Sequence, residues 1–328
     1  MRTIWTGYCS ILAQDIQQYL AAKRALGCKF ASEDRTLRLF DHWLVEQQLD
    51  SLDAITGSCL ETFFASRHRD NPRSYNHLLG VVRRLFEWLI DQQVITVSPR
   101  HNDQRRETSQ QQPFLFEPAV IRRLIEEARR LPDNPRSPLR GPSYAMIFAI
   151  LAVLGLRIGE VTRLQYGDVD LDRDVLLIRD SKFGKSRFVP FGSRLSTRFH
   201  EYLALREHHG YAIAGSAPLF SWNGRHAVST NTIRNVFRDH LVPSLALDIP
   251  EGIGNPRVHS LRHSFAVRTL LRWYRTGQNP TARLHYLSTI MGHVNPKSTA
   301  VYLTITSKLL HEANLCFEAF APMFKEVP

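Results

Sequence analysis

Several common signatures are missing from this sequence of 328 residues. No apolar run approaches the roughly 20 residues that a membrane-spanning helix needs, so we place no transmembrane helix and expect no membrane partner. The opening residues, Met1-Arg2-Thr3-Ile4-Trp5, lead into polar residues without the apolar stretch and small-residue cleavage site of a signal peptide. The cytosol is therefore the expected location.

Cysteine is scarce and dispersed. The four cysteines, Cys9, Cys28, Cys59 and Cys316, form no CxxC pair, which argues against a structural zinc site and a disulfide framework. We expect them to be small buried hydrophobic residues. The sequence also lacks an internal repeat and a glycine-rich phosphate-binding loop of the P-loop kind.

Positive charge, by contrast, is plentiful and unevenly distributed. The chain has 42 Lys+Arg against 31 Asp+Glu, a formal net charge of +11. Residues 1–110 hold 14 basic and 13 acidic side chains, whereas the remainder holds 28 and 18. An excess confined to the second part suggests a polyanionic partner, most simply nucleic acid; a generally basic protein is the alternative.

Helical periodicity dominates the first part of the chain. Apolar residues at 3–4 spacing predict about four helices between Ser10 and Val94, the second starting with Ser32 as its N-cap and the third spanning Ala54–Ala65. A polar, proline-containing stretch then predicts a linker. We therefore divide the chain into a helical domain (1–98), a linker (99–113), a second domain (114–307) and a C-terminal tail (308–328).

The second domain is predicted to be helical with a small β-sheet. Residues from Ser143 to Leu154 are almost entirely apolar, which predicts a buried central helix. Three β-rich runs follow, Val169–Leu171, Val175–Ile178 and Phe188–Phe191. The predicted fold class is therefore mainly α with a small antiparallel β-sheet (α+β).

One stretch, 258–306, carries residues suited to handling a phosphate. It contains His259, Arg262, His293 and Tyr302; His293 comes 31 residues after Arg262, and Tyr302 comes nine residues after His293. Arginine offers a bidentate fork for phosphate oxygens, histidine can transfer a proton, and a tyrosine hydroxyl can attack phosphorus.

Two upstream positions could belong to the same site. Arg157 follows the apolar helix beside a glycine turn, where it needs an anionic partner, either an internal carboxylate or a ligand phosphate. Lys182 lies at a basic hairpin tip and could be a mobile general acid, while Lys185 or Arg187 could hold phosphate. A solvated turn is the alternative for the whole tip.

Gly155-Leu156-Arg157 with Glu160, Lys182, His259-xx-Arg262, Gly292-His293 and Tyr302 follow one another along this basic chain. The combination resembles tyrosine recombinases, the phage-type integrase family of site-specific DNA recombinases. The resemblance covers roughly residues 10–306. It implies a helical N-terminal core-binding (SAM-like) domain followed by a catalytic domain, in the bacterial cytosol and nucleoid. Residues 294–299 are similar to a subgroup carried by transposons and plasmids.

The resemblance implies a role for each matched residue. Tyr302 would attack a DNA phosphodiester, leaving a 3′-phosphotyrosyl link and a free 5′-hydroxyl. Arg157 and Arg262 would clamp the non-bridging oxygens, and Lys182 would protonate the departing 5′ oxygen. The further implied roles are proton transfer around the nucleophile for His259, a hydrogen bond to the phosphate for His293 and bracing of the His–Arg motif for Glu160.

The chemistry of these residues agrees with the implied roles. A phenol is a poor nucleophile at neutral pH unless nearby cations favour its phenolate, and guanidinium groups, a lysine and histidines would supply that field. The same cations can neutralise transition-state charge, so we expect no metal. No ATP or other cofactor is expected either, because the phosphotyrosyl link keeps the bond energy.

The expected partner is double-stranded DNA with an inverted-repeat core site, bound by a synaptic tetramer; the need for a partner recombinase stays open. For the Phe-rich tail, 308–328, two arrangements are expected as alternatives: it folds back on its own domain, or it docks on a neighbouring protomer. Candidate DNA-contacting residues, each of which could instead be a solvated basic position, are Arg73, Arg83, Arg84, Lys185, Arg187, Arg234 and Arg238.

Two other functions compete with strand transfer. One is a DNA-binding protein that kept the fold and lost the chemistry, against which the complete residue set argues. The other is a metal phosphohydrolase using some of the 14 histidines, although carboxylates near them are sparse. Tyr274 and Tyr286 are rival nucleophiles that precede His293, and we interpret both as core or surface residues.

Overall fold

The chain forms two compact units, Met1–Gln110 and Gln111–Pro328, and the division falls inside the predicted linker. Helices dominate both units, and the described strands form a single small antiparallel sheet, which confirms the predicted fold class. The computed structural model describes residues 7–99, 103–106, 111–133, 135, 137–179, 186–293, 297–304 and 311.

Four α-helices form the core in the described part of the N-terminal unit. The longest, α4, starts sharply because the Asn71 side chain accepts a hydrogen bond from the Arg73 backbone N–H and Pro72 occupies the first helical position. Its apolar stripe packs with the other three helices into one core. The bounds are α1 Ala13–Ala25, α2 Ala31–Glu46, α3 Gly57–Ser66 and α4 Pro72–Asp91.

Two predicted helix starts in this unit were wrong. Phe30 takes a left-handed conformation (φ 45°) and turns the chain, so α2 already begins at Ala31 and Ser32 lies within its first turn. Helix α3 begins only at Gly57, where the Thr56 hydroxyl accepts a hydrogen bond from the Cys59 backbone N–H at 3.3 Å. Capping geometry, which the apolar spacing does not encode, fixed both starts.

The prediction that the cysteines are buried was also wrong for those that the structure describes. Cys9 and Cys28 are exposed, and Cys59 is half-buried. Cys316 lies outside the described residues.

The core of the C-terminal unit is built around the predicted central helix. Helix α6 has 12 buried residues among 15, and α5, α8 and α11 pack against it or its neighbours. The α-helices that the structure describes in this unit are α5 Pro118–Arg129, α6 Arg140–Leu154, α7 Ile158–Val161, α8 Ser193–His208, α9 Thr230–Val236, α10 Val242–Ser244, α11 Val258–Arg275, α12 Pro280–Met291 and α13 Lys297–Ala300.

The three predicted strands pair in chain order. In the antiparallel register Leu176 of the middle strand lies opposite Val189 on one side and Val169 on the other. Residues 180–185, which include Lys182 and Lys185, lie between the second and third strands and outside the described residues. The strands are β1 Val169–Asp170, β2 Val175–Ile178 and β3 Arg187–Pro190.

Three chain segments that are distant in sequence meet at one place in this unit. The C-terminal end of α6, the N-terminal half of α11 and the C-terminal end of α12 are joined by hydrogen bonds from one arginine. A 3₁₀ turn, Val301–Thr304, follows α13 and packs against α11. In the described part of the chain, no helix has the length and hydropathy to cross a bilayer.

Candidate active site

Two helices end at glycines beside Arg262. Gly155 ends α6 with φ +63° and Gly292 ends α12 with φ +66°, a conformation that favours glycine. At Gly155 a Cβ atom would also lie 2.2 Å from Cδ1 of Phe265. The glycine turns therefore let two helix ends approach α11 closely. Carbonyl groups of their last turns, which have no hydrogen-bond partner within their own helix, point at α11.

Those carbonyl groups hold the Arg262 guanidinium. Its Nη1 donates to the Gly155 carbonyl at 2.6 Å, and its Nη2 donates to the Met291 carbonyl at 2.7 Å. The side chain is almost fully buried, and burial together with the charge of Arg157 lowers the pKa of Arg262 to about 10. Arg262 is therefore a fixed cation at neutral pH.

Glu160 binds two further arginines. Arg157 Nη1 donates to its Oε1 at 2.8 Å, and Arg187 donates to both carboxylate oxygens at 3.1 and 3.0 Å. Burial opposes ionisation of this carboxyl, but the hydrogen bonds and charge of Arg187, with those of Arg157, outweigh it and lower the pKa of Glu160. Glu160 is thus a buried carboxylate that orients Arg157, whose Nη2 also donates to the Gly292 carbonyl at 2.8 Å.

Arg187 has a different environment from the one we predicted. Only 10% of its side chain is exposed, both terminal nitrogens bind Glu160, and Nε donates to the Ile290 carbonyl at 2.9 Å. A guanidinium used in this way ties β3 to the end of α12. This placement argues against a direct contact between Arg187 and DNA, and it favours a supporting role behind Arg157.

His293 is held from both ring nitrogens. Arg262 Nη2 lies 2.7 Å from Nε2, and the Thr299 hydroxyl lies 2.7 Å from Nδ1. Because an arginine can only donate, Nε2 must accept and the ring proton must be on Nδ1, which donates to Thr299. A hydroxyl can also donate, so Thr299 can support the other tautomer when Nε2 has to donate to a ligand oxygen.

Tyr302 lies beside the second histidine of α11. Its side chain is only 4% exposed, and its hydroxyl lies 3.0 Å from Nδ1 of His263. His259 lies one helical turn before His263, and the two imidazole rings pack edge to face with their centroids 4.7 Å apart. Among the described residues, no hydrogen bond joins His259 to Tyr302.

Burial dominates the ionisation of these rings. It lowers the pKa of His259 and of His293 to about 4, with contributions from nearby arginines, and it also lowers the pKa of His263. For Tyr302 burial raises the pKa more than Arg262 and Arg157 lower it. The two arginines thus favour the phenolate, as expected, but burial outweighs them and Tyr302 is a neutral phenol at neutral pH.

The structure thus brings five of the six predicted catalytic residues together, while Lys182 lies outside the described residues. The other candidates for DNA contact are on different elements: Arg73, Arg83 and Arg84 are exposed on α4 of the N-terminal unit, and Arg234 and Arg238 are exposed on α9 and the turn after it. The predicted tail, 308–328, is also outside the described residues apart from His311.

Sequence reasoning missed two polar residues of the site. His263 stands four residues after His259, a spacing that places both on one helix face, so this signal was present in the sequence. Thr299 gave no signal, because its role depends on the turn that follows Gly292. Within the described ranges, no group of three or more His, Cys, Asp or Glu side chains is placed to bind a metal ion.

Comparison with known proteins agrees with this geometry. Residues 116–308 match the model of the phage integrase family. The chain is 32% identical over 305 residues to "Putative integrase/recombinase y4rB" of Sinorhizobium fredii (strain NBRC 101917 / NGR234), covering 93% of this chain and 96% of that protein. It is 26% identical over 284 residues to tyrosine recombinase XerD of Ralstonia nicotianae (strain ATCC BAA-1114 / GMI1000), covering 84% and 83%.

A solved structure shares the fold. The Tn1549 transposon integrase, determined in complex with transposon right end DNA, superposes with a TM-score of 0.64 at 18% identity, covering 94% of this chain and 98% of that one. The chain belongs to the phage integrase family of tyrosine recombinases.

Proposed function

We propose that this protein is a site-specific DNA recombinase that cuts and rejoins DNA strands through a covalent 3′-phosphotyrosyl intermediate. The observation that carries the proposal is the position of Tyr302. Its buried hydroxyl is near enough to Arg262 and Arg157 for their charges to act on its pKa, and its ring stacks parallel to that of His293 with centroids 6.5 Å apart. A nucleophile, two cations and a hydrogen-bond donor are the groups that phosphoryl transfer needs.

In the proposed reaction the scissile phosphate binds between Arg157 and Arg262. Each guanidinium has five N–H donors, of which the protein contacts described above use only part, so donors remain for the non-bridging oxygens. The Tyr302 oxygen forms a bond to phosphorus as the bond to the 5′ oxygen breaks. Lys182 delivers the proton to that 5′ oxygen, and attack by a 5′-hydroxyl reverses the steps and rejoins a strand.

The proposed substrate is double-stranded DNA with an inverted-repeat core site. The excess of positive charge lies in residues 111–328, and the candidate arginines on α4 and α9 are exposed to solvent. Exposed basic side chains of this kind bind the phosphate backbone. We assign DNA binding to the N-terminal unit as well, and we propose that four protomers act together on two sites. The integrase/recombinase relative from Sinorhizobium fredii and the XerD relative align over 93% and 84% of this chain, which supports the assignment of a recombinase function.

The test is covalent capture. Nicked DNA duplexes of randomised sequence, which lose the short fragment after cleavage and cannot be religated, are incubated with the protein in EDTA. Duplexes that stay attached in detergent are sequenced and resynthesised as one defined probe. We expect the wild type to form this adduct and Tyr302→Phe to form none.

Tyr286→Phe is the matched control, because Tyr286 is 58% exposed and lies outside the site. Binding of the probe without an adduct from the wild type would favour a DNA-binding protein that has lost its chemistry. Cleavage that requires a metal and leaves no adduct would favour a phosphohydrolase.

A further inference from the structure

The phenolic proton of Tyr302 needs an acceptor, and the site contains one that sequence motifs did not identify. A buried hydroxyl that donates to nothing is costly, and with 4% of Tyr302 exposed, water does not readily replace a protein partner. In the described part of the chain its hydrogen-bond partner is Nδ1 of His263 at 3.0 Å. The Tyr302 hydroxyl therefore donates to Nδ1, and the ring proton of His263 is on Nε2.

The surroundings keep this acceptor in place. His263 follows Arg262 directly, and Arg262 is anchored to the ends of α6 and α12 through two carbonyl groups. The ring of His263 is packed edge to face on His259 and tilted against Tyr302, with centroids 4.7 and 5.5 Å away. These contacts connect the 3₁₀ turn that carries Tyr302 to the segment of α11 that Arg262 anchors.

We propose that His263, rather than His259, is the catalytic residue that accepts the proton of Tyr302 during strand cleavage. As the bond between the Tyr302 oxygen and phosphorus forms, the phenolic proton moves to Nδ1 of His263. The electron pair of the breaking P–O bond leaves on the 5′ oxygen, which is protonated by the general acid. The inference rests on the proposed function. It gives a role to a histidine for which the family resemblance implied none.

The same contacts make proton acceptance dependent on the substrate. His263 faces Arg262 and His259 on its own helix and Tyr302 on the 3₁₀ turn, while Arg157 and His293 face Tyr302. Burial and the positive charge of Arg262 lower the pKa of His263 and so disfavour its imidazolium form. A bound phosphodiester neutralises that charge, so Tyr302 is activated only when a scissile phosphate occupies the clamp.

The test compares single-turnover rates of adduct formation on the captured probe. His263→Asn places an amide atom close to the position of Nδ1 and keeps a hydrogen bond, but it cannot take up a proton. We expect it to bind the probe with an affinity within about twofold of wild type and to cleave at least about 100-fold more slowly. His263→Ala is the second variant, and added imidazole should restore part of its rate.

Two readouts separate proton transfer from a structural effect. Above pH 7 the wild-type rate should change little, whereas the His263→Asn rate should rise about tenfold per pH unit because free solvent base must remove the proton. On a probe whose 5′ leaving oxygen is replaced by sulfur, which needs no protonation, Lys182→Ala should recover and His263→Asn should not.

His200→Asn is the control, because His200 is exposed on α8. A His263→Asn variant that cleaves within about threefold of wild type with an unchanged pH profile overturns the inference while leaving the proposed function intact. A wild type that forms no adduct overturns the proposed function itself.

Discussion

Replacing Glu160 with glutamine tests whether the buried carboxylate holds the arginine cluster together. The change keeps the size of the side chain and removes its charge. At present Glu160, with 2% of its side chain exposed, accepts three guanidinium hydrogen bonds and one from the Arg157 backbone N–H. Each carboxylate oxygen accepts two of these hydrogen bonds, so the NH₂ group of a glutamine would face two donors. Two contacts are then lost, and two arginines are left without a buried counter-charge.

The expected loss of stability follows from these contacts. Hydrogen bonds to charged groups contribute about 1.5–3 kcal/mol each. Removing one member of a buried ion pair costs about 3–5 kcal/mol. We therefore expect Glu160→Gln to lower the free energy of unfolding of the C-terminal unit by about 3–5 kcal/mol. For a unit of this size that corresponds to a fall of about 10 °C in Tm.

Differential scanning calorimetry can measure this change for the transition of the C-terminal unit. Glu127→Gln is the matched control, because Glu127 pairs with Arg130 on the surface and exposed pairs contribute at most about 1 kcal/mol. The pKa of Glu160 is lowered from 4.5, so its stabilisation is present above pH 4.5 and is lost as the pH falls through the lowered value. Equal Tm values for the two variants at pH 7 would refute the reasoning.

Further predictions concern the glycine turn, Thr299 and the histidines. Gly155→Ala should lower the free energy of unfolding by about 2–4 kcal/mol, because the left-handed backbone is strained and the new Cβ atom clashes with Phe265. Gly210→Ala has the same left-handed strain (φ +70°) but no neighbour within 4 Å, so it should cost only about 1 kcal/mol. Urea denaturation measures both values. Thr299→Val should cost about 1–3 kcal/mol and slow cleavage, and Thr299→Ser should restore both. The pKa values of His259 and His293, which burial lowers to about 4, should rise beside a DNA phosphate. Calorimetry should therefore detect proton uptake on binding, and binding should tighten as the pH falls from 6.5 to 5.

Much of the fold was predictable because its strongest signals are local. The apolar residues of α6 predicted a buried central helix, and the β-rich runs predicted the three strands. Helix starts were less predictable, since the left-handed Phe30 and the Thr56 cap depend on backbone geometry rather than on apolar spacing.

The site was predictable to the extent that it resembles a known family. Arg157, Glu160, Arg262, His293 and Tyr302 meet in space as that resemblance implied. Two features required the three-dimensional structure. From the sequence, the basic residue Arg187 is expected on the surface of the hairpin. Only the fold shows that its side chain packs against Glu160 with 10% of it exposed. Tyr302 and its hydrogen-bond acceptor His263 are 39 residues apart, and no sequence pattern pairs them.

The most direct measurement is the mass of the peptide that carries the DNA. After covalent capture, nuclease treatment and digestion with trypsin, Tyr302 falls in the peptide 298–308, separate from the peptides that contain Tyr274 and Tyr286. The account predicts a nucleotide remnant linked to Tyr302 in that peptide. A remnant on either of the other tyrosines, or an adduct that persists in Tyr302→Phe, would contradict it.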